Sequence, residues 1–589
     1  MTAFLGVERS LTDRQWRARA ADDRVAMALA QRFDLPDVVC RALVGRGIGI
    51  DDCESYLDPT LRRLLPDPSH LKDMDAAVAR LVRAIRSGES VAVFGDYDVD
   101  GATSSALLAR FFAAIGARLV VYIPDRMKEG YGPNAPALLK LKAEGVAVAI
   151  TVDCGITAHA PLTAAREAGL DVVVIDHHVG EPALPPAVAV VDPNRLDESS
   201  PHRQLAAVGV AFLLAVGINR ALRAAGWYTT ARPEPDLKAL LDLVALGTVA
   251  DVVPLTGVNR ALVRQGLEVM ARRANPGLAA LAEVAGIKQA PDAYHLGFVL
   301  GPRVNAGGRV GEAGLGARLL GTDDPAEARA IAQKLDQFNR ERQDIERQVL
   351  EDAIARVEAA GGPGPIVHVA AEAWHPGVIG IVASRLKDRY GRPALVTAIG
   401  ADGVGKGSGR SVAGVDLGTA VIAARQAGLL VNGGGHVMAA GYTVARDCVE
   451  RFGAFMRERI GGPDGAPPRA LVEIDGSLQP SGATIGLATA LAKLEPYGAG
   501  NPRPVFALPD LRVTHASVVG NGHVRCTVMG TGGARMQAIA FCCAETPLGR
   551  ALLAPNGTPM HLAGTVKLDT WQGQERVQFT IEDGARAGG

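Results

Sequence analysis

Between Ser90 and Ile175 the chain alternates short β-branched apolar runs with Ala- and Leu-rich stretches. The runs are Val91–Phe94, Leu119–Ile123, Val146–Val152 and Asp171–Ile175. Runs this uniformly apolar, with room for a helix between each pair, predict a parallel sheet with crossover helices. Ligands of such sheets bind in the crevice beyond the carboxyl ends of the strands. The polar residues that follow each run are therefore the ones to weigh for function.

Four segments place acids or imidazoles directly after apolar stretches, each read as a strand end. The first is Phe94-Gly95-Asp96-Tyr97-Asp98-Val99-Asp100-Gly101, with carboxylates at alternate positions and two glycines that let the turn bend closely. The second is Val152-Asp153-Cys154-Gly155, the third Ile175-Asp176-His177-His178, and the fourth Ala250-Asp251-Val252-Val253-Pro254. Taken singly, the first reads equally well as a solvated loop and Asp153 as a helix cap. Taken together, several carboxylates in apolar surroundings require a counter-cation, because an unpaired buried carboxylate costs several kcal/mol.

Carboxylates with a few imidazoles and no thiolate suit Mn²⁺ or Mg²⁺, as one ion or two. Two ions about 3.5–4 Å apart activate water for attack on phosphorus and stabilise the leaving oxygen, so phosphoester hydrolysis is the expected reaction class. The seven cysteines are scattered without a CxxC pair, which argues against a thiolate zinc site and fits a reducing cytoplasm.

At 589 residues the chain has room for roughly four domains. Its 62 basic and 63 acidic side chains nearly cancel, so any nucleic-acid surface must be a local stripe. The apolar run Val208–Ile218 is shorter than the ~20 residues of a membrane span, and Met1–Arg9 meets charge too early for an export signal. Asp324-Pro325-Ala326-Glu327 opens a helix that no Gly or Pro interrupts before Gly361, predicting one rod of roughly 50 Å or, alternatively, two helices broken near Arg340. Strands at 366–370 and 394–398 flank a helix at 380–390. Gly461–Pro468 has the composition of a linker, and the short alternating stretches beyond it suggest a small β-barrel. Residues 463–589 carry ten basic and ten acidic side chains, so charge does not mark that barrel as a DNA binder.

The motif residues resemble those of the DHH phosphoesterase superfamily, and within it the single-strand-specific exonucleases. Gly95–Thr103, Val152–Gly155, Asp176–His178 and Ala250–Leu255 resemble its four motifs, and Glu129–Gly132, Gly301–Arg309, Gly407–Ser411 and Gly433–His436 follow the same pattern. The resemblance implies that Asp98, Asp100, Asp153, His177 and Asp251 ligate metal, with Asp153 bridging, that His178 contacts phosphate, and that Asp96 and Asp176 orient ligands or water. Some members carry His where this chain has Phe94, and an apolar ring cannot ligate. The first ion is therefore expected to bind weakly or only with substrate.

The resemblance also implies an α/β architecture. The expected divisions are a helical extension (1–75), a parallel-sheet DHH domain (76–323), a connecting helix (324–360), a DHH-associated α/β domain (361–462) and an oligonucleotide-binding barrel (463–589). In the associated domain, the glycine-rich stretch Gly403–Gly414, with Lys406, Ser408, Arg410 and Ser411, is expected to capture phosphate through backbone amides and a guanidinium, a flexible loop being the alternative, and Gly433–His436 to be a close turn presenting His436. Arg126, Arg303, Asn305 and Arg309 are expected along the strand's backbone, with Tyr131 stacking on a base. For any one of them, a buried ion pair or core packing is the plainer alternative.

By the same resemblance the chain is expected to be a cytoplasmic, monomeric exonuclease working 5′ to 3′ on single-stranded DNA in repair and recombination, with a single-strand-binding protein and a recombination helicase as partners. Two other readings stay open: a DHH phosphatase of small substrates or very short oligonucleotides, and a non-catalytic scaffold, which predicts gaps in the ligand set.

Overall fold

The computed structural model describes residues 3–125, 128–461, 470–554, 558–571 and 574–587. Arg126 and the expected linker at 462–468 lie outside the described residues. Two compact units emerge, one of residues 51–341 with 494–503 and one of residues 1–50, 342–493 and 504–589.

The first unit is built on five parallel strands: β1 (Ser90–Gly95), β2 (Leu119–Tyr122), β3 (Val146–Val152), β4 (Asp171–Ile175) and β5 (Ala189–Val191), in the order β2-β1-β3-β4-β5. The expected parallel sheet is present, with one more strand than the apolar runs indicated. Strand periodicity sends alternate side chains to opposite faces. Val91, Val93, Val148, Ile150, Val173 and Ile175 join one apolar cluster, and Ala92, Phe94, Ala149, Val172 and Val174 the other. Both faces are therefore buried, which is why these strands read as continuous apolar runs.

Three helices complete the site's frame: α1 (Val99–Ala114), α2 (Ala207–Ala224) and α3 (Leu241–Ala250). By length and composition α2 is apolar enough to cross a membrane, yet 72% of its apolar window is buried in this unit, as in a core helix. Asp251 follows α3, so it arrives from a helix and not from the expected strand end. Apart from Asp242 and Thr248 the run Leu241–Ala250 has no polar side chain, and periodicity cannot separate a buried helix from a buried strand in such a segment.

Pro325–Ala359 forms one unbroken helix of 35 residues, as the single-rod reading expects, and the division between the two units falls within it. In the second unit, a mixed sheet runs in the order 432–436, 439–445, 404–410, 394–399 and 367–372. The carboxyl-terminal strands 506–519, 523–529, 535–540, 574–586 and 560–571 pair in that order, and 560–571 closes back on 506–519, giving the expected barrel. Phe579 fills its core, whereas Phe541 is exposed. Residues 1–75 are not one helical extension. Gln15–Ala18 is a strand paired in parallel with Leu471–Ile474, and buried Trp16 donates from Nε1 to Asp583 Oδ2 at 2.9 Å.

Candidate metal centre

The carboxyl ends of β1, β3 and β4, with the end of α3, deliver the acidic residues to one place. Asp98 caps α1, one carboxylate oxygen accepting from the backbone N–H of Asp100 at 2.9 Å and of Gly101 at 3.1 Å. Gly101 is required here, since a Cβ would lie 2.4 Å from the Asp96 carbonyl oxygen. Asp100 is fully buried, and its two oxygens accept from the N–H groups of Ala207 (2.7 Å) and Val208 (2.8 Å) at the start of α2. Those amides and the helix dipole favour the negative charge. Gly247 of α3 makes room for this packing, because a Cβ there would stand 2.3 Å from Thr103 Oγ1 and 3.1 Å from Asp100 Oδ1.

Asp153 follows β3 with a left-handed backbone (φ 62°) and is buried. Nε2 of His177 lies 3.3 Å from Asp153 Oδ1, 3.5 Å from Asp251 Oδ2 and 3.9 Å from Asp100 Oδ2. Three sets of ligand-type atoms fall within 4.8 Å of one another: Asp100, His177 and Asp251; Asp153, His177 and His178; Asp96, Asp98 and Asp153. Asp153 is common to two of them, the position a bridging ligand needs. Asp96, expected to stand back from the ion, has its carboxylate inside the last set.

Asp176 orients its neighbours. One of its oxygens accepts from the His177 N–H (2.8 Å) and pairs with His178 Nδ1 (2.7 Å), and the other accepts from the Ile156 N–H (3.0 Å). Burial pulls the His178 pKa down, but the Asp176 hydrogen bond and the charges of Asp176, Asp251 and Asp192 outweigh it and raise the group to about 9. Burial, helped by the charge of His178, pushes His177 down to about 4, leaving a neutral imidazole able to ligate.

The acids repel one another. Burial, and then repulsion from neighbouring carboxylates, raises Asp100 to about 7 and Asp251 to about 9, and holds Asp153 far above the usual range. Among the described residues no lysine or arginine pairs with these three. His177 Nε2 and Asp251 Oδ2 are buried without a hydrogen-bond partner. Converging acids, a neutral imidazole and orphaned polar atoms fit a divalent cation, which would satisfy all of them at once. Phe94 supplies no ligand, as expected: its ring is buried and stacks on Tyr122 with centroids 5.3 Å apart.

Around the cluster, Tyr131 is exposed and donates from its hydroxyl to the Asp153 carbonyl at 3.1 Å. Its ring meets Tyr97 and His178 edge-on. The helix Gly301–Val310 packs against the acidic turn, where a Cβ on Gly308 would approach the Tyr97 carbonyl to 2.9 Å. It carries Arg303, Asn305 and Arg309, all partly buried. Arg303 follows the plainer alternative: it donates to Asp336 Oδ1 (2.9 Å) and to the Val299 carbonyl (2.7 Å).

Sequence reasoning passed over Asp192 and Asn194. The apolar run Ala189-Val190-Val191 ending in Asp192 repeats the signal used for the other strands, but three residues are too few to register as a period. Asp192 is buried, and burial followed by the charge of Asp176 raises it to about 8. It accepts from the Asn194 N–H at 2.6 Å, and Asn194 Nδ2 in turn donates to the His177 carbonyl at 2.6 Å.

In the second unit, two expectations are corrected. Residues 404–410 are a strand and not a phosphate-binding loop, so their backbone amides face partner strands. The glycines are there for packing. A Cβ on Gly407 would enter the Tyr442 ring at 1.9 Å, and one on Gly409 would meet Leu395 and Leu417 at 2.7 Å. Asn432–His436 is likewise a strand, not a turn, with His436 exposed at its end. Ser411 is buried and donates to the Val415 carbonyl at 2.7 Å. Ser408 and Arg410 do sit together. Arg410 Nη1 donates to Ser408 Oγ at 3.1 Å beside Gly380, in the first turn of the helix Ile379–Tyr390, and burial alone lowers the guanidinium.

Comparison with known proteins gives a consistent picture. Residues 90–248 match the DHH family, N-terminal domain; 364–462 the DHHA1 domain; and 474–583 the RecJ OB domain. The chain is 37% identical to the single-stranded-DNA-specific exonuclease RecJ of Dickeya dadantii, over 93% of this chain and 96% of that one. It is 35% identical to the Escherichia coli protein of the same name, over 97% and 98%. The solved structure of RecJ from Thermus thermophilus in complex with Mn²⁺ superposes with a TM-score of 0.81 at 32% identity, covering 97% of this chain and 79% of that one.

Proposed function

The chain belongs to the RecJ family of DHH phosphoesterases, and from that membership we infer that it is a metal-dependent exonuclease that hydrolyses single-stranded DNA in the 5′ to 3′ direction, releasing 5′-mononucleotides during repair and recombination. The observation that carries this reading is the convergence of His177 Nε2 on Asp100, Asp153 and Asp251, which the chain delivers from three separate segments.

Asp98, Asp100, Asp153, His177 and Asp251 would hold Mn²⁺ or Mg²⁺, Asp153 being shared by two sets of ligand atoms and Asp96 belonging to one of them; a metal bound there would polarise the phosphoryl group and lower the pKa of water. Neutral His177 offers a lone pair. Cationic His178, fixed by Asp176, is suited to donate to a phosphate oxygen and steady the charge that builds there. Tyr131, exposed beside Asp153, offers an aromatic face to a terminal base. Ser408 and Arg410, on the strand 404–410 beside the first turn of the helix Ile379–Tyr390 and, among the described residues, without a carboxylate partner, have the chemistry of a phosphate contact. His436, Asn305, Arg309 and Arg126 we retain as strand contacts. Arg303 could join them only by leaving Asp336.

A single-strand-binding protein and a recombination helicase remain proposed partners, with a monomer working in a reducing cytoplasm. The test is digestion of end-labelled single- and double-stranded DNA with Mn²⁺, with Mg²⁺ and with chelator, on wild type and Asp153→Ala. Release of mononucleotides from 5′ ends of single strands alone, lost with chelator and in the variant, supports the reading. Equal digestion of duplexes, or activity on dinucleotides only, overturns it, the latter in favour of a short-oligonucleotide hydrolase.

A further inference from the structure

Tyr294 and Phe298 form an exposed stacked aromatic pair one helical turn apart, with ring centroids at 5.2 Å and planes inclined by 27°. They are 62% and 72% exposed, and Phe298 is the most exposed of the large apolar side chains described. Leaving two adjacent rings in water forfeits burial that the fold takes for nearly every other aromatic, so the arrangement calls for an explanation.

Phe298 lies in a π-helical turn, His295–Leu300, that Tyr294 immediately precedes and that continues without a break into the helix Gly301–Val310. π-turns are rare and concentrate at functional sites. The other side of this turn is fixed to the metal centre's frame. A Cβ on Gly297 would touch Val249 at 3.4 Å, and one on Gly301 would touch Ala250 at 3.3 Å, the last two residues of α3 before Asp251. The helix that follows leads to the turn carrying Asp96 and Asp98, where a Cβ on Gly308 would approach the Tyr97 carbonyl to 2.9 Å. Beside the rings an open pocket of about 340 Å³ is lined by Lys288, Tyr294, His295 and Val299.

We propose that Tyr294 and Phe298 are a stacking platform for an unpaired base of the DNA strand. The inference rests on the reading above and specifies where that strand is gripped. Rings at this spacing offer a flat apolar face to any base, Lys288 offers a charge to its phosphate, and a base held in a duplex cannot present its own face to them. The platform therefore favours single strands without reading sequence.

The test is equilibrium binding, read by fluorescence anisotropy with chelator present so that nothing is hydrolysed. The probes are a labelled oligothymidylate and a strand of equal length with abasic residues, and the proteins are wild type, Tyr294→Ala/Phe298→Ala and Phe298→Leu. The wild type should bind the oligothymidylate about tenfold tighter than the abasic strand, by the usual contribution of a stacked base. The double variant should lose most of that discrimination, leaving the share that Tyr131 supplies, and Phe298→Leu, which keeps apolar area but no ring, should lose part of it. Unchanged discrimination in the double variant overturns the platform. So does unchanged discrimination combined with altered self-association in sedimentation, which would make the rings a protein-contact surface. Failure of the wild type to digest single strands would overturn the exonuclease reading separately, because binding is measured without turnover.

Discussion

His177 Nε2 stands 3.3 Å from Asp153 Oδ1 across the gap between two neighbouring parallel strands, β3 and β4. Neither atom has a partner in its own segment. The pairing of two strands that are distant in sequence is what creates the ligand set, and it ties the metal chemistry to the integrity of the sheet. Changes that loosen the strand-end loops should therefore weaken metal binding before they unfold the protein.

Asn194 is the clearest case. Its side chain holds the His177 carbonyl at 2.6 Å and the Arg203 carbonyl at 3.2 Å, fixing the loop from which both imidazoles project. Asn194→Ala is expected to raise the Mn²⁺ concentration needed for half-maximal nuclease activity by about tenfold, in the range usual for groups that orient metal ligands. A titration of activity against Mn²⁺ checks this, and thermal melting should show little change.

Gly101→Ala should have a larger effect. The added methyl would lie 2.4–2.7 Å from the Asp96 backbone, which cannot move without displacing the whole acidic turn. Overpacking of this kind costs on the order of 1–3 kcal/mol. The expected outcome is a lowered melting temperature together with loss of Mn²⁺ binding. A variant that melts lower but binds Mn²⁺ normally would show that the turn adapts.

Stability of the second unit should fall in mild acid because of His368. Its Nε2 is buried without a hydrogen-bond partner, and burial, with the charge of Arg457, pushes its pKa from 6.5 down to about 4. The folded state therefore resists a proton that the unfolded state accepts. Stability is complete above about pH 6.5, declines as pH falls toward about 4, and is flat below, for a total on the order of 3 kcal/mol. Urea midpoints measured across this range should show the decline in wild type and a shallower one in His368→Gln.

Much of this was legible in the sequence, and the rest was hidden for identifiable reasons. The parallel sheet followed from runs such as Val146–Val152, which are apolar on both faces because both faces are covered. The acids after those runs followed from the chemistry of buried charge. Asp192 was missed because β5 is only three residues long. The glycines at 405, 407 and 409 suggest a loop because composition records the absence of a side chain but not the neighbours that forbid one: Thr397 and Val444 at 405, the Tyr442 ring at 407, and Leu395 and Leu417 at 409. Asp251 was placed on a strand because uniform hydropathy carries no period. For Arg303 the sequence leaves a strand contact and a buried ion pair both open, because the partner, Asp336, lies 33 residues away on the long helix.

The central claim, that residues from four distant segments cage divalent ions, is tested most directly by calorimetric titration of Mn²⁺ into wild type, Asp153→Ala and Asp251→Ala. One or two ions should bind the wild type, Asp153→Ala should abolish detectable binding, and Asp251→Ala should weaken it at least tenfold. Binding of Mn²⁺ to both variants with wild-type stoichiometry and affinity would contradict the account.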